Sequence, residues 1–134
     1  MLLLVVGSAL REVSGDQAAL GLSFLEEVVT APRYRLYAVG DGFAALVEVD
    51  AGGIAVPGEL VEAPDALLEK ILASEPAGVT QAPVELADGR LASAATGDLS
   101  ILGDRARDIT AWGGFAAYWR GQRTLLSSPR AGPG

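Results

Sequence analysis

Short apolar runs punctuated by glycine constrain this chain most, and the sharpest instance is Asp88-Gly89 between residues 84–87 and 90–93. An Asp-Gly pair between alternating segments favours a tight turn with left-handed backbone, which sets a β-hairpin and its register. The same punctuation recurs elsewhere. Residues 2–6 are an unbroken apolar run stopped by Gly7, the pattern of a central strand buried on both faces. Residues 23–29 and 33–39 read as strands around Pro32. Alternation puts Tyr34, Leu36 and Ala38 on one face and Arg33, Arg35 and Tyr37 on the other. A turn at 40–42 leads to a strand at 43–49, and a turn at 51–53 to another at 54–62, where Pro57 and Gly58 predict a bulge or an edge. With 17 glycines in 134 residues, many turns and few long helices are expected.

Helical spacing is clearest at 64–73. Pro64 suits a first turn and Asp65 the positive helix end, while Leu67, Leu68, Ile71 and Leu72 form an apolar stripe. Pro76 pushes the residue before it, Glu75, out of helical geometry into an extended conformation. A polar exposed segment is expected at 11–16 and a short helix at 16–22. Thr110, supported by Asp108, is expected to cap a last helix running to about Gln122 and packing through Trp112, Phe115, Tyr118 and Trp119. Gly113 and Gly114 inside that pattern cost about 1 kcal/mol each relative to Ala, which close approach of helix to sheet would offset. The small, Pro/Gly-rich stretch 127–134 reads as a flexible tail after a single domain, 1–126. Many strands with two or three helices predict an α+β fold, a mixed sheet or small barrel with helices packed outside.

Composition removes whole classes of chemistry. Half of the residues are apolar, enough for a sizeable core. Cysteine and histidine are both absent. Disulfides, thiol catalysis and a Ser-His-Asp triad within the chain are thereby excluded, and no metal or other cofactor is expected. A net charge of −7 makes nucleic acid and anionic membranes poor partners. The apolar residues 1–6 are too short for a membrane span and lack the marks of a signal peptide, so a cytoplasmic location is the default expectation.

Four blocks carry a resemblance: Val5-Val6-Gly7-Ser8; Thr30-Ala31-Pro32-Arg33-Tyr34-Arg35-Leu36-Tyr37; Val84-Glu85-Leu86-Ala87-Asp88-Gly89-Arg90; and Asp108-Ile109-Thr110-Ala111-Trp112-Gly113-Gly114-Phe115-Ala116-Ala117-Tyr118. Together they resemble the C-terminal domain of allophanate hydrolases, from about Leu3 to Trp119. The resemblance implies a γ-glutamylcyclotransferase-like fold, a small mixed β-barrel with two or three packed helices. The loop Gly7-Ser8-Ala9-Leu10 resembles the tyrosine-glycine-serine-x-leucine loop of γ-glutamylcyclotransferases, with Val6 in place of the tyrosine. A glycine ending a buried strand lets the backbone turn and aim successive N–H groups at a substrate carboxylate, and Ser8 adds a hydroxyl. The hydrolase domains open with valine-valine-glycine-alanine-histidine-leucine, so Ala9 stands where their histidine stands.

The resemblance also singles out Glu75, which matches the acid/base glutamate of the cyclotransferases' leucine-aspartate-x-x-glutamate pattern, with Leu72 in place of the aspartate. A desolvated carboxyl there would exchange a proton near neutral pH. Glu59, after Gly58, matches the family's glycine-glutamate strand. Alternation points it opposite Leu60, into a barrel mouth or into solvent. Plainer readings stand beside these: Gly7-Ser8 as a turn, Glu75 as a solvated helix end, Arg33 and Arg35 as exposed strand arginines.

The function expected first is a stand-alone domain acting on or binding a small acidic amide or carbamate, of the N-carboxycarbamate decarboxylation type, in urea or amide nitrogen metabolism. Gly7, Ser8, Ala9, Leu10 and Glu59 would bind the substrate and Glu75 would carry the proton. The second expectation is a non-catalytic ligand-binding or assembly subunit for an amidase, or a homodimer; the missing histidine and the domain's usual fusion to an amidase favour it. The third is a γ-glutamylamine cyclotransferase in a tailoring pathway.

Overall fold

The computed structural model describes residues 1–40 and 42–127, with 124–127 by backbone alone. Its strands are β1 (Leu2–Val5), β2 (Ser23–Val29), β3 (Tyr34–Val39), β4 (Phe43–Glu48), β5 (Pro57–Glu62), β6 (Val79–Glu85), β7 (Leu91–Gly97) and β8 (Ala106–Asp108). Its helices are α1 (Arg11–Ser14), α2 (Asp65–Ser74), α3 (Leu99–Leu102) and α4 (Phe115–Ser127). The α+β architecture is as expected. The strands form one mixed sheet in the order β2-β5-β1-β7-β4-β3-β8, with β6 paired to β7.

That path is open at β2 and β8 rather than closed into a barrel. A lone bridge, Thr30 to Leu86, nevertheless ties the end of β2 to the end of β6, flanked by hydrogen bonds from Ala31 N to Glu85 O and from Ala87 N to Val29 O. The sheet thereby wraps one apolar core. Leu4, Leu36, Leu46, Leu60, Val84 and Ala94, each from a different strand, meet there, and Phe115 of α4 packs among them. On the outer side of β1, Leu67, Leu68 and Ile71 of α2 cover Leu3, Val61 and Ala63. Leu72, expected in that stripe, is 48% exposed. It lies about 100° round the helix from Ile71, beyond the seam.

The hairpin forms where Asp88-Gly89 predicts it, with Gly89 at φ +92° and a register running from Glu85↔Leu91 to Val79↔Gly97. This register makes β7 the organising strand. β6 takes one edge of β7 along its full length. β1 and β4 must therefore share the other edge, both parallel to β7, β1 meeting it at Ser93 and β4 at Thr96. The two strands diverge there, and the ladder forks.

Three local expectations change. Residues 54–62 do not form one strand: Ile54 makes only a bridge to Tyr34, and β5 starts at Pro57. β5 is not an edge, since β1 and β2 flank it, and the irregular register falls between Phe24 and Glu26 of β2. The 11–22 region holds α1 and a single 3₁₀ turn, Ala18–Leu20. Thr110 does not cap a continuous last helix. Its hydroxyl accepts from Leu36 N at 2.9 Å, so it serves the sheet. Thr110–Trp112 is a 3₁₀ turn ended by Gly113 at φ +85°, and α4 begins after it. Close approach does explain Gly114, where a Cβ would lie 2.8 Å from Pro57 Cγ.

Asp108 supports this corner as expected, accepting from Thr110 N at 2.9 Å and from Arg35 Nε at 2.7 Å. Arg33 is exposed as expected, though it lies in the turn just before β3, and pairs with Glu85. Ser127 ends α4, while the rest of the expected tail, 128–134, lies outside the described residues. Among the described residues no helix is long and apolar enough to cross a membrane.

Candidate active-site cavity

A cavity of about 230 Å³ opens at the fork between β1 and β4, beneath the C-terminal end of α2. Its walls are mostly apolar: Leu3, Val5 and Val6 from the opening strand, Phe43 and Ala44 from β4, Ile71 from α2, Val79 and Ala95 from the hairpin. The volume falls below the usual range for drug-sized ligands, about 300 Å³ and more, and suits a small metabolite. Its polar lining is confined to the loop Gly7, Ser8 and Ala9, and to Ser74, Glu75 and Gln81.

Glu75 reaches this cavity through its backbone. It ends α2 with φ −71° and ψ 138°, the extended geometry that Pro76 requires. The helix therefore stops and the side chain turns toward the sheet. Oε1 accepts from Gln81 Nε2 at 3.0 Å. Gln81 Oε1 in turn accepts from Ser93 Oγ at 3.1 Å, which fixes the amide with its NH₂ group toward the carboxyl. Glu75 Oε2 is buried and has no protein partner. Desolvation raises the pKa of this carboxyl; the hydrogen bond from Gln81 opposes the rise, and no charged neighbour contributes. The result is a carboxyl biased toward its protonated form, with one oxygen pinned by a neutral donor and the other unsatisfied.

The opposite wall is the loop after β1. Leu10 N donates to Gly7 O at 3.0 Å, closing the turn. The N–H groups of Ser8 and Ala9 have no acceptor among the described residues. Gly7 was expected to free the backbone for a sharp turn, and its φ is not among the positive ones. What it supplies is space: a Cβ there would sit 2.8 Å from Ala44 Cβ, so glycine lets β1's exit press against β4's entry. Ala9 lines the same cavity as Glu75.

The remaining expected site residues lie elsewhere. Leu10 and Glu59 line a second, larger cleft of about 670 Å³ between α4 and the β2–β5 pair, along with Trp112 and Phe115. Glu59 is 8% exposed and fully engaged. Its Oε1 accepts from Arg11 N at 3.0 Å and Gln17 Nε2 at 2.7 Å, and its Oε2 from Arg11 Nε at 3.0 Å. It anchors α1 and the following turn to β5 and does not face the cavity holding Glu75. Gln81 and Ser93 were not singled out by sequence. Hairpin register is the signal that finds them: Pro83↔Ser93 and Gln81↔Ala95 put both side chains on one face, diagonal to each other. Among the described residues no group of carboxylates is placed to hold a metal ion.

Comparison with known proteins gives the family and the fold. A family model described as the allophanate hydrolase C-terminal domain matches residues 1–120. No curated protein matches the chain. Among solved structures, the uropathogenic E. coli-specific protein c4763 is 30% identical, with a TM-score of 0.73, covering 90% of this chain and 94% of that one. The K. lactis urea amidolyase aligns with a TM-score of 0.77 at 23% identity, over 91% of this chain but 8% of the amidolyase, so the present chain spans a small part of that protein. The Pyrococcus horikoshii protein PH0828 aligns with a TM-score of 0.64 at 19% identity, over 95% and 98% of the two chains. These likenesses give the fold as γ-glutamylcyclotransferase-like.

Proposed function

The chain belongs to the allophanate hydrolase C-terminal domain family, and from that premise we propose that the cavity at the strand fork binds and turns over a small amide or carbamate of the N-carboxycarbamate type. One observation carries the proposal. A desolvated carboxyl with an unsatisfied oxygen and a loop with unpaired N–H groups line the same small cavity. Ser8 and Ala9 N–H bind the substrate's carboxyl or carbonyl oxygen. Protonated Glu75 supplies the proton.

In a decarboxylation of this type the bond from nitrogen to one carboxyl carbon breaks and carbon dioxide leaves. The electron pair stays on nitrogen, which takes the proton from Glu75; solvent then reprotonates the carboxylate. Ala9 removes the imidazole that the family carries at that position, and Glu75, lining the same cavity, stands in as the proton carrier. Urea and amide nitrogen metabolism is the matching setting. The likeness to one segment of a urea amidolyase supports association with an amidase that delivers the substrate.

The same geometry supports a second reading. A γ-glutamylamine could bind with its α-carboxylate on the Ser8–Ala9 amides. Its α-amine would lose a proton to the ionised form of Glu75 as it attacks the γ-carbonyl, and Glu75 would return that proton to the leaving amine as the γ-amide bond breaks and 5-oxoproline forms. Turnover assays on carbamate precursors coupled to an amidase, beside γ-glutamylamines scored for 5-oxoproline, separate the two. In either case Glu75→Gln abolishes turnover and leaves the thermal transition in place. Full activity of Glu75→Gln removes Glu75 from the mechanism.

A further inference from the structure

We infer that this cavity accepts ligands of at most one net negative charge, and that an anion enters it only together with a proton shared with the Glu75 carboxyl. The inference rests on the proposed cavity being the binding site and names the charge class of its ligand. Its basis is the lining. Among the described residues the cavity wall holds one titratable side chain, Glu75, and no lysine or arginine. Every polar group set against a ligand is neutral: Ser74, Gln81, Ser8 and the loop amides.

The charged groups of the surrounding elements are engaged elsewhere or exposed. Arg11, next to the loop, is turned to Glu59 and Glu27 in the other cleft. On α2, Asp65, Glu69 and Lys70 are exposed and outside the wall. On β6, Glu85 pairs with Arg33 at the far end of the strand. On β4, Glu48 pairs with Arg33, away from the Phe43 end that reaches the cavity. β1 and β7 carry no charged residue.

Two carboxylates cannot both stay ionised in such a space. Burying a charge without a counter-charge is strongly unfavourable, and adjacent carboxyl groups hold one proton between them. A monocarboxylate therefore binds as an acid–carboxylate pair with Glu75 Oε2, the oxygen that lacks a partner, through a short charge-assisted hydrogen bond. Gln81 holds Oε1 with a neutral donor, so it supplies no counter-charge to a second carboxylate. A dianion such as N-carboxycarbamate enters with one proton taken up. The proton needed for carbon–nitrogen cleavage thus arrives with the substrate instead of being fetched afterwards.

An isosteric series tests this: malonamide, malonamate and malonate, carrying charges of 0, −1 and −2. Binding is followed by ¹H–¹⁵N shifts of Ser8, Ala9 and the Gln81 side chain from about pH 6 to about pH 9. Malonamate affinity should fall about tenfold per pH unit above the Glu75 midpoint, because each bound anion must then draw a proton from solvent. Malonamide affinity should change by less than about threefold across the range, and malonate should bind at least about tenfold more weakly than malonamate at the alkaline end. Glu75→Gln, whose amide donates at any pH, should bind malonamate with a flat profile and more tightly than wild type at about pH 9. PH-independent malonamate binding by the wild type, or malonate binding as tightly as malonamate, overturns the inference and leaves the site reading standing. Loss of shifts for all three ligands overturns both. If Glu75→Gln does not fold, the wild-type titrations decide alone.

Discussion

Two glutamates of this domain, Glu59 buried and Glu75 half-buried, face two cavities and have opposite surroundings. Glu59, under α1, spends its oxygens on Arg11 and Gln17 and lines the larger cleft. Glu75, at the end of α2, has one oxygen on Gln81 and the other on nothing, and lines a cavity about a third as large, about 230 against 670 Å³. A carboxylate with its lone pairs occupied holds elements together and has little left to offer a ligand. One left half-satisfied in an apolar pocket is poorly suited to holding structure and well suited to moving a proton. Size favours the larger cleft, whereas hydrogen-bond accounting favours the smaller one.

The comparison predicts a ranking. Glu59→Ala should have the largest effect on stability, a loss of about 3 kcal/mol in chemical denaturation, because it strands the Gln17 amide and the Arg11 N–H. A loss below about 1 kcal/mol would make Glu59 dispensable to the fold. Next comes Gly7→Ala, which forces a methyl onto Ala44 and should cost about 1–3 kcal/mol while displacing the Ser8–Ala9 amides. Unchanged stability and turnover would show that the fork tolerates widening.

Glu75→Gln should alter stability by no more than about 0.5 kcal/mol below the ordinary glutamate pKa, where it exchanges a protonated carboxyl for an amide of the same shape. The pH dependence sharpens the point. The folded pKa of Glu75 is raised, so the folded state holds more protons than the unfolded one between the ordinary glutamate pKa and the raised value. Its stabilising contribution is complete below the ordinary pKa and is lost as pH rises through the folded one. The melting temperature of the wild type should therefore decline across that window relative to Glu75→Gln, and parallel profiles would contradict the shift. The smallest effect belongs to Gln81→Leu. Removing the donor that lowers the Glu75 pKa should move the midpoint of any Glu75-dependent pH–rate profile upward. A downward move would deny Gln81 its positioning role.

Much of this frame was legible because its signals are local. Proline and glycine punctuation found β2, β3 and β4, Asp88-Gly89 found the hairpin, and Pro76 placed Glu75 in extended backbone at the helix end. What escaped depends on partners distant in sequence. Thr110 reads as a cap by its neighbours, yet its hydroxyl is claimed by Leu36. Gly7 reads as a turn residue, yet the reason for it is Ala44. Glu59 reads as a pocket residue from its strand, while Gln17, which occupies it, sits in a stretch with no periodicity. The candidate site was half visible: the loop and Glu75 could be named, but Gln81 and Ser93 needed the register, and the cavity itself needed the divergence of β1 and β4 from a common edge.

That divergence has a consequence for how such a domain changes over time. A pocket made by parting two strands owes its outline to main chain, so side chains around it can be exchanged without rebuilding the frame. Residues such as Ala9 and Glu75 can differ while the opening keeps its dimensions. Chemistry becomes a removable fitting in a permanent socket.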